Sequence, residues 1–187
     1  MIAQIDEKVL RDYFARLDAL VSPGTVLYVF GGGAVALLGA AIRTTIDIDI
    51  AAPYSKVAES EFRAASEKAG LPVNPGLGYQ GAYVEFVPPL TLAMPRARTP
   101  DDEIVLFSGL NLTVKTGSVA DLIASKLIRY NDKDRSDVQY LADLGGIVMD
   151  DVVASVERLP ERIKRDVVLR ANLENLSVDL SLWKEAK

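Results

Sequence analysis

Residues 46 to 50 read IDIDI, a strict two-residue alternation of isoleucine and aspartate. Successive side chains on an extended backbone point to opposite sides, so this alternation predicts a strand with one apolar face. Ile46, Ile48 and Ile50 would then feed a core, while Asp47 and Asp49 share the other face with Cα atoms about 6.5 to 7 Å apart. Two carboxylates held this close repel, and one takes up a proton unless a cation sits between them. Such a pair is a candidate divalent-metal site of the kind that serves phosphoryl transfer. The alternative is a half-exposed strand whose polar face happens to be aspartate, although aspartate is depleted in strands.

The segment in front narrows the choice of folds. TVLYVF at 25 to 30 is β-branched and aromatic, glycines follow at 31 to 33, and GGAVALLGAA at 32 to 41 reads as a short helix too apolar to face water. A strand that enters glycines and then a helix presents backbone N–H groups at a helix N-terminus, which suits a phosphate. The same glycines also suit plain steric relief in a tight turn. Gly31, Gly33 and Ala36 satisfy the G-x-G-x-x-A form of the dinucleotide fingerprint, with Asp47 or Asp49 near the place of its acid. Against that rival, the apolar helix breaks at IRTT, too early for a full crossover.

Elsewhere the periodicities are clear. Ile5, Val9, Leu10, Tyr13, Phe14, Leu17, Leu20 and Val21 fall at helical spacing and predict an amphipathic helix over 3 to 21, ended by SPG. Residues 55 to 70 read as a helix capped by Ser55 and closed by Gly70. AYVEFV at 82 to 87 is a strand stopped by two prolines, and 103 to 116 reads as two strands turned at Ser108 and Gly109. Ser118 to Asp121 form a capping-box start for a helix through LIASKLIRY, and DRSDVQYLADL gives another that ends at Gly145 and Gly146. VVASVERL and PERIKRDVVLRANLENL complete a helical tail with Pro160 at a first helical position. The predicted fold class is α/β (α+β): a small mixed sheet flanked by helices, with 1 to 116 as the core and 117 to 187 as a helical C-terminal part.

Composition removes whole classes of chemistry. The 187 residues include no cysteine and no histidine, so disulfides, thiolate metal sites, histidine triads and imidazole bases are excluded. Catalysis must run on carboxylates, lysines, hydroxyls or a carboxylate-bound metal. Twenty-one basic residues against 26 acidic ones give a formal charge of −5, which argues against broad clamping of nucleic acid. PRAR at 95 to 98 and RLPERIKR at 158 to 165 are local basic clusters to test for RNA contact. No stretch reaches the roughly 18 apolar residues of a membrane span, and the N-terminal segment has no leader-like apolar core. A soluble, cytoplasmic protein with no membrane partner is expected.

Lys126 falls four residues after Leu122, three after Ile123 and four before Tyr130, on what is otherwise an apolar helical stripe. Asp137 shares a stripe with Tyr140, Leu141 and Leu144. An inward lysine snorkels out, pairs with an acid, or faces a cleft where a triphosphate meets it. A Lys126 to Asp137 bridge that only locks two helices stands beside the cleft reading.

Glycines, a short helix and then hydrophobic-Asp-hydrophobic-Asp-hydrophobic, as in VFGGGAVALLGAAIRTTIDIDI, resemble the nucleotidyltransferase superfamily with its DNA polymerase β-like fold. The stretch is most similar to the bacterial branch that contains abortive-infection toxins of toxin–antitoxin pairs and their uncharacterised relatives. LIASKLIRYNDKDRSDVQYLADL is similar to a helical segment of that branch in which a lysine precedes an Arg-x-Asp element, so the resemblance spans residues 25 to 145. It implies a Mg2+ (or Mn2+) dependent transfer of a nucleoside monophosphate from a nucleoside triphosphate to an acceptor hydroxyl, with release of pyrophosphate. The implied metal ligands are Asp47, Asp49 and a third carboxylate from a later strand, for which Glu85 in YVEFV is the candidate. Lys126 joins them as a catalytic residue. Gly31, Gly32, Gly33, Arg43, Thr45, Arg135 and Asp137 are the implied nucleotide-binding residues. The acceptor would be a tRNA end, a protein or a small molecule, and a cognate antitoxin is a further implied partner. Many members carry serine at the place of Gly32, and the interval from Gly32 to Asp47 is long for the family. A catalytically silent binding or regulatory module is the second reading, and it gains if Glu85 fails to converge with the two aspartates.

Overall fold

The computed structural model describes residues 4–40 and 43–185. Among these the elements follow as α1 (Glu7–Asp18), β1 (Thr25–Phe30), α2 (Gly31–Leu37), β2 (Asp47–Ala51), α3 (Glu59–Ala69), β3 (Tyr83–Val87), β4 (Ile104–Ser108), β5 (Leu112–Thr116), α4 (Val119–Lys126), α5 (Asp132–Gly145), α6 (Met149–Val156), α7 (Glu161–Lys164) and α8 (Val167–Glu185). Short 3-10 turns occupy Ala52–Tyr54 and Pro100–Asp102. This is the mixed α/β class that the alternating strand and helix patterns predict, with a helical C-terminal part. The chain divides into two compact units. Met1–Leu92 with Glu103–Thr116 carries the sheet, and Ala93–Asp102 with Gly117–Lys187 carries α4 to α8. No helix among the described residues is long and apolar enough to cross a membrane.

In the sheet unit the strands lie in the order β3-β2-β1-β5-β4. β1 runs antiparallel to β2 and parallel to β5, β2 runs parallel to β3, and β4 runs antiparallel to β5. The antiparallel β1 and β2 set aside the dinucleotide reading, because that fingerprint joins two parallel strands through a crossover helix. Here the connecting α2 has only seven residues, and Gly32 to Leu37 are all buried. Burial on every side explains why its sequence shows no polar face. Ile48 and Ile50 are fully buried beside Leu27 and Val29, and α1 adds Leu10, Tyr13, Phe14 and Leu17 to the same core. Ile46 stands before β2 at a bend and is exposed, so two of the three isoleucines feed the core.

Tertiary hydrogen bonds move several predicted boundaries. Asp6 accepts from Val9 N at 2.8 Å and starts α1 there, so Ile5 is not helical but exchanges backbone hydrogen bonds with Thr45. Residue 3, the predicted helix start, lies outside the described residues, as do 41 and 42 at the predicted end of the apolar helix. α1 stops at Asp18, whose carboxylate accepts from the amides of Leu110, Asn111 and Leu112 at 3.1, 2.8 and 2.7 Å and closes the β4–β5 turn. Ser55 caps no helix: its hydroxyl donates to Ala51 O and accepts from Tyr28 N. α3 begins instead after Ala58, and Gly70 ends it in the left-handed conformation.

In the helical unit, Ser118 and Asp121 form the expected reciprocal capping box at 3.1 Å each way. α4 ends at Lys126, and Tyr130 takes a left-handed turn before Asn131 caps α5. Lys126 and Tyr130 therefore do not share one helical stripe. Pro160 occupies the cap position of α7, one residue before the helical position predicted for it. Asp166 accepts from Val168 N at 2.9 Å, and the break at 165 and 166 splits the predicted tail helix into α7 and α8. α4 packs on α5 and α6, while α5 and α7 pack on α8.

Candidate active site

Two strand registers build the site. The β1–β2 register sets Phe30 opposite Asp49, so the chain leaves β1 beside the Asp49 carboxylate as it turns into α2. Gly31 makes that turn at φ 64°, and a Cβ on it would overlap Asp49 Oδ2 and lie 3.0 Å from Cγ. Only glycine meets both demands. The β2–β3 register sets Asp47 opposite Tyr83 and Asp49 opposite Glu85, and residues two apart on a strand share a face. One carboxylate oxygen from each of Asp47, Asp49 and Glu85 lies within 4.8 Å of the other two, the one such grouping of acids among the described residues. Glu85 thus converges with the two aspartates.

Neighbouring groups hold this cluster. Thr45 is buried, and its Oγ1 donates to Asp47 Oδ1 at 2.7 Å. Because the Thr45 backbone is itself paired with Ile5, the hydroxyl aims Asp47 from a fixed point. The Arg43 guanidinium rests against Gly32, where a Cβ would overlap Nη2 and lie 2.9 Å from Cζ. Its Nη1 donates to the Thr44 carbonyl. Burial, and then the charges of Asp47, Glu85 and Asp49, push the Tyr83 phenol above its ordinary range. Oxygen donors alone, half-buried for the aspartates and exposed for Glu85, fit a hard divalent cation such as Mg2+ or Mn2+. The acidic cluster can therefore hold a metal.

Beside Glu85 lies a feature that sequence reasoning missed, a cavity of about 360 Å³ whose walls include Asn74, Leu77, Tyr79 and Tyr83. The one signal for it was Tyr83, which shares the Glu85 face of β3 by the same alternation that marks IDIDI.

The remaining candidates lie in the helical unit. The Lys126 side chain is 4% exposed, with Nζ 2.6 Å from Asp137 Oδ2 and 3.4 Å from Asp134 Oδ1. Arg129 approaches the other oxygen of Asp134 at 3.5 Å. Arg135 Nε donates to Asp179 Oδ2 at 2.7 Å, and Tyr130 Oη donates to the same oxygen at 2.8 Å. Burial opposes the charge on Asp179, but these two donors outweigh it and hold the carboxyl below its ordinary range. Lys126 and Asp137 are thus brought together and Arg135 is joined to Asp179. Asp134 and Asp179 are partners that the sequence reading did not name, although the three-residue spacing of Asp134 and Asp137 on α5 puts both on one face.

Among curated proteins none matches the chain. A family described as a nucleotidyltransferase of unknown function (DUF6036) matches residues 8–158. That span begins in α1, contains all three clustered carboxylates and the glycine turn, and runs just past α6. On the extent of that match and the site it contains, the chain belongs to this nucleotidyltransferase family.

Proposed function

We propose that the chain is a metal-dependent nucleotidyltransferase centred on Asp47, Asp49 and Glu85, moving a nucleoside monophosphate from a nucleoside triphosphate to an acceptor hydroxyl. The observation that carries this reading is the meeting of three carboxylates from adjacent strands beside Gly31, the first residue of α2. Mg2+ or Mn2+ held by those oxygens would supply Lewis-acid stabilisation of the charge on the reacting phosphate. Thr45 fixes one oxygen of Asp47, and the missing side chain of Gly31 leaves room for Asp49. Gly31 is the one glycine of the three that is not buried, so it is the point where a triphosphate can approach the turn. Arg43, beside Gly32, supplies fixed positive charge for the phosphates. In the reaction the acceptor oxygen bonds to the α-phosphorus, and the bond from that phosphorus to the bridging oxygen breaks. Pyrophosphate leaves with the electron pair. The hydroxyl proton passes to a carboxylate, in this reading Glu85, the most exposed of the three. Lys126, Arg135 and Asp137 serve in this reading as locks of the helical unit, since each holds an oppositely charged partner there.

The test is incubation with Mg2+, each α-labelled nucleoside triphosphate and, in turn, total tRNA, bulk protein and small alcohols. Label is expected on one acceptor class, with pyrophosphate released and the transfer lost on chelation. Thr45→Val is expected to slow it about 10–100-fold, as for loss of a group that orients a metal ligand, and Asp47→Asn to slow it further. Transfer that survives chelation, or an Asp47→Asn variant at the wild-type rate, overturns the reading. Metal-dependent nucleotide binding with no transfer to any acceptor would identify a silent module instead. A toxin role would follow from the same assay, if the labelled acceptor is a tRNA or protein needed for growth.

A further inference from the structure

α8 carries two apolar stripes. Leu169, Leu176 and Leu180 line its buried side, and α5 and α7 pack on the helix. Val168, Ala171, Asn175, Val178 and Leu182 follow a second line at alternating intervals of three and four residues. At about 100° per residue the two lines lie on nearly opposite sides of the helix. The second faces outward: Val168 is 47% exposed, Leu182 52% and Val178 60%, and Ala171 and Asn175 are exposed with them. A helix that needs one apolar face keeps its outer positions polar. Alternation of three and four is instead a heptad seam, the pattern through which one helix lies alongside another, and apolar exposure gathered in one line marks an interaction surface.

Charge then selects the occupant. Arg170 stands near the start of α8 and Glu185 at its end, both exposed, and among the described residues neither side chain has an oppositely charged partner. A second α8 laid antiparallel brings each start to the other's end, so Arg170 of each copy meets Glu185 of the other and the helix dipoles complement one another. A parallel copy would set Glu174 against Asp179 of the second copy, two acids at the flanking positions of the seam, and Asp179 is already held by Arg135.

We propose that the outer stripe of α8 is a self-association surface on which a second copy of this chain packs antiparallel, about a two-fold axis that passes between Leu176 and Ser177. In that register Ala171 faces Leu182 of the second copy, a small residue against a large one, and Asn175 faces its Val178. Asn175 lies next to the axis, where a single polar residue fixes register at a cost in affinity. The stripe from 168 to 182 is about 21 Å long. That is short of the roughly 800 Å² per partner of a standard interface, so the dimer forms in the micromolar range. The helix lies beyond residues 8–158 that match the family, and none of its residues belongs to the three-carboxylate site.

The test is sedimentation of the whole chain from roughly 1 to 200 µM, where a reversible monomer–dimer equilibrium is expected. Val178→Glu and Leu182→Glu should each raise the dissociation constant at least about tenfold. Both side chains are exposed in the single chain, so the melting temperature at low concentration should not move. Arg170→Glu and Glu185→Arg should each weaken the dimer, and the two together should restore it. The chain has no cysteine, so introduced ones report the register: Ala171→Cys and Leu182→Cys proteins should join by a disulfide when mixed, and neither with itself. A chain that stays monomeric, association that survives Val178→Glu and Leu182→Glu, no recovery in the double charge variant, or a disulfide of either cysteine variant with itself each overturns the proposal. A monomer whose outer stripe adsorbs instead to anionic phospholipid vesicles would give it a lipid partner and overturn the proposal as well.

Discussion

Gly31→Ala is expected to abolish Mg2+-dependent nucleotide binding and to lower the melting temperature, while Gly33→Ala leaves both nearly unchanged. At Gly31 the backbone is left-handed, with φ 64°, which costs a residue bearing a Cβ about 1–2 kcal/mol. The new methyl would also overlap the Asp49 carboxylate, so either Asp49 swings out of the cluster or the turn opens. Both outcomes dismantle the site. At Gly33 a Cβ would meet Val29 Cγ1 at 3.6 Å and Ile48 Cγ2 at 3.8 Å, ordinary contacts. The helix there gains up to about 1 kcal/mol from alanine. Gly32→Ala falls between them, because the added carbon would displace the Arg43 guanidinium and no backbone atom. It should weaken nucleotide binding and spare stability. Thermal melts and metal-dependent nucleotide titrations of the three variants read this order directly. Equal losses at Gly31 and Gly33 would mean that the glycines serve the turn alone.

Lys126→Met is expected to cost about 3–5 kcal/mol of stability, the usual penalty for removing one partner of a buried charge cluster. Asp134 and Asp137, each with a side chain 4% exposed, would lose the one buried ammonium that both of them face. Urea denaturation measures the loss. The triple change Lys126→Met, Asp134→Asn, Asp137→Asn should recover much of it, because no net charge then remains to be buried. A Lys126→Met protein of near wild-type stability that binds nucleotide poorly would give Lys126 a phosphate role and remove the helix-lock assignment.

The acidic strand was legible in sequence because a period of two leaves few alternatives to a half-buried strand, and both aspartates fell where the alternation put them. Glu85 was legible only as an acid within a strand. Its place beside Asp49 depends on the parallel β2–β3 register, which no local pattern encodes. The glycine turn was visible, but the steric reason for Gly31 came from the β1–β2 register that sets Asp49 beside it. Ser55 had the chemistry of a helix cap, yet a tertiary contact with β1 claims its hydroxyl. The Lys126 to Asp137 bridge could be read from two inward-facing charges on neighbouring helices. The tyrosine-walled hollow could not, because residues 74 to 79 have no periodicity and owe their position to the Asn74 side chain, which bonds the backbone of Phe86 in β3.

The most direct test of the three-carboxylate metal centre is thermal stabilisation by each nucleoside triphosphate, with and without Mg2+, in the wild type and in Asp49→Ala. With ligand at about a hundred times Kd, binding at this site predicts about 2.7 kcal/mol of added stability. That is a rise of several degrees in melting temperature, seen only when metal and nucleotide are both present and absent in Asp49→Ala. An equal rise in Asp49→Ala, or one that persists under chelation, would contradict it.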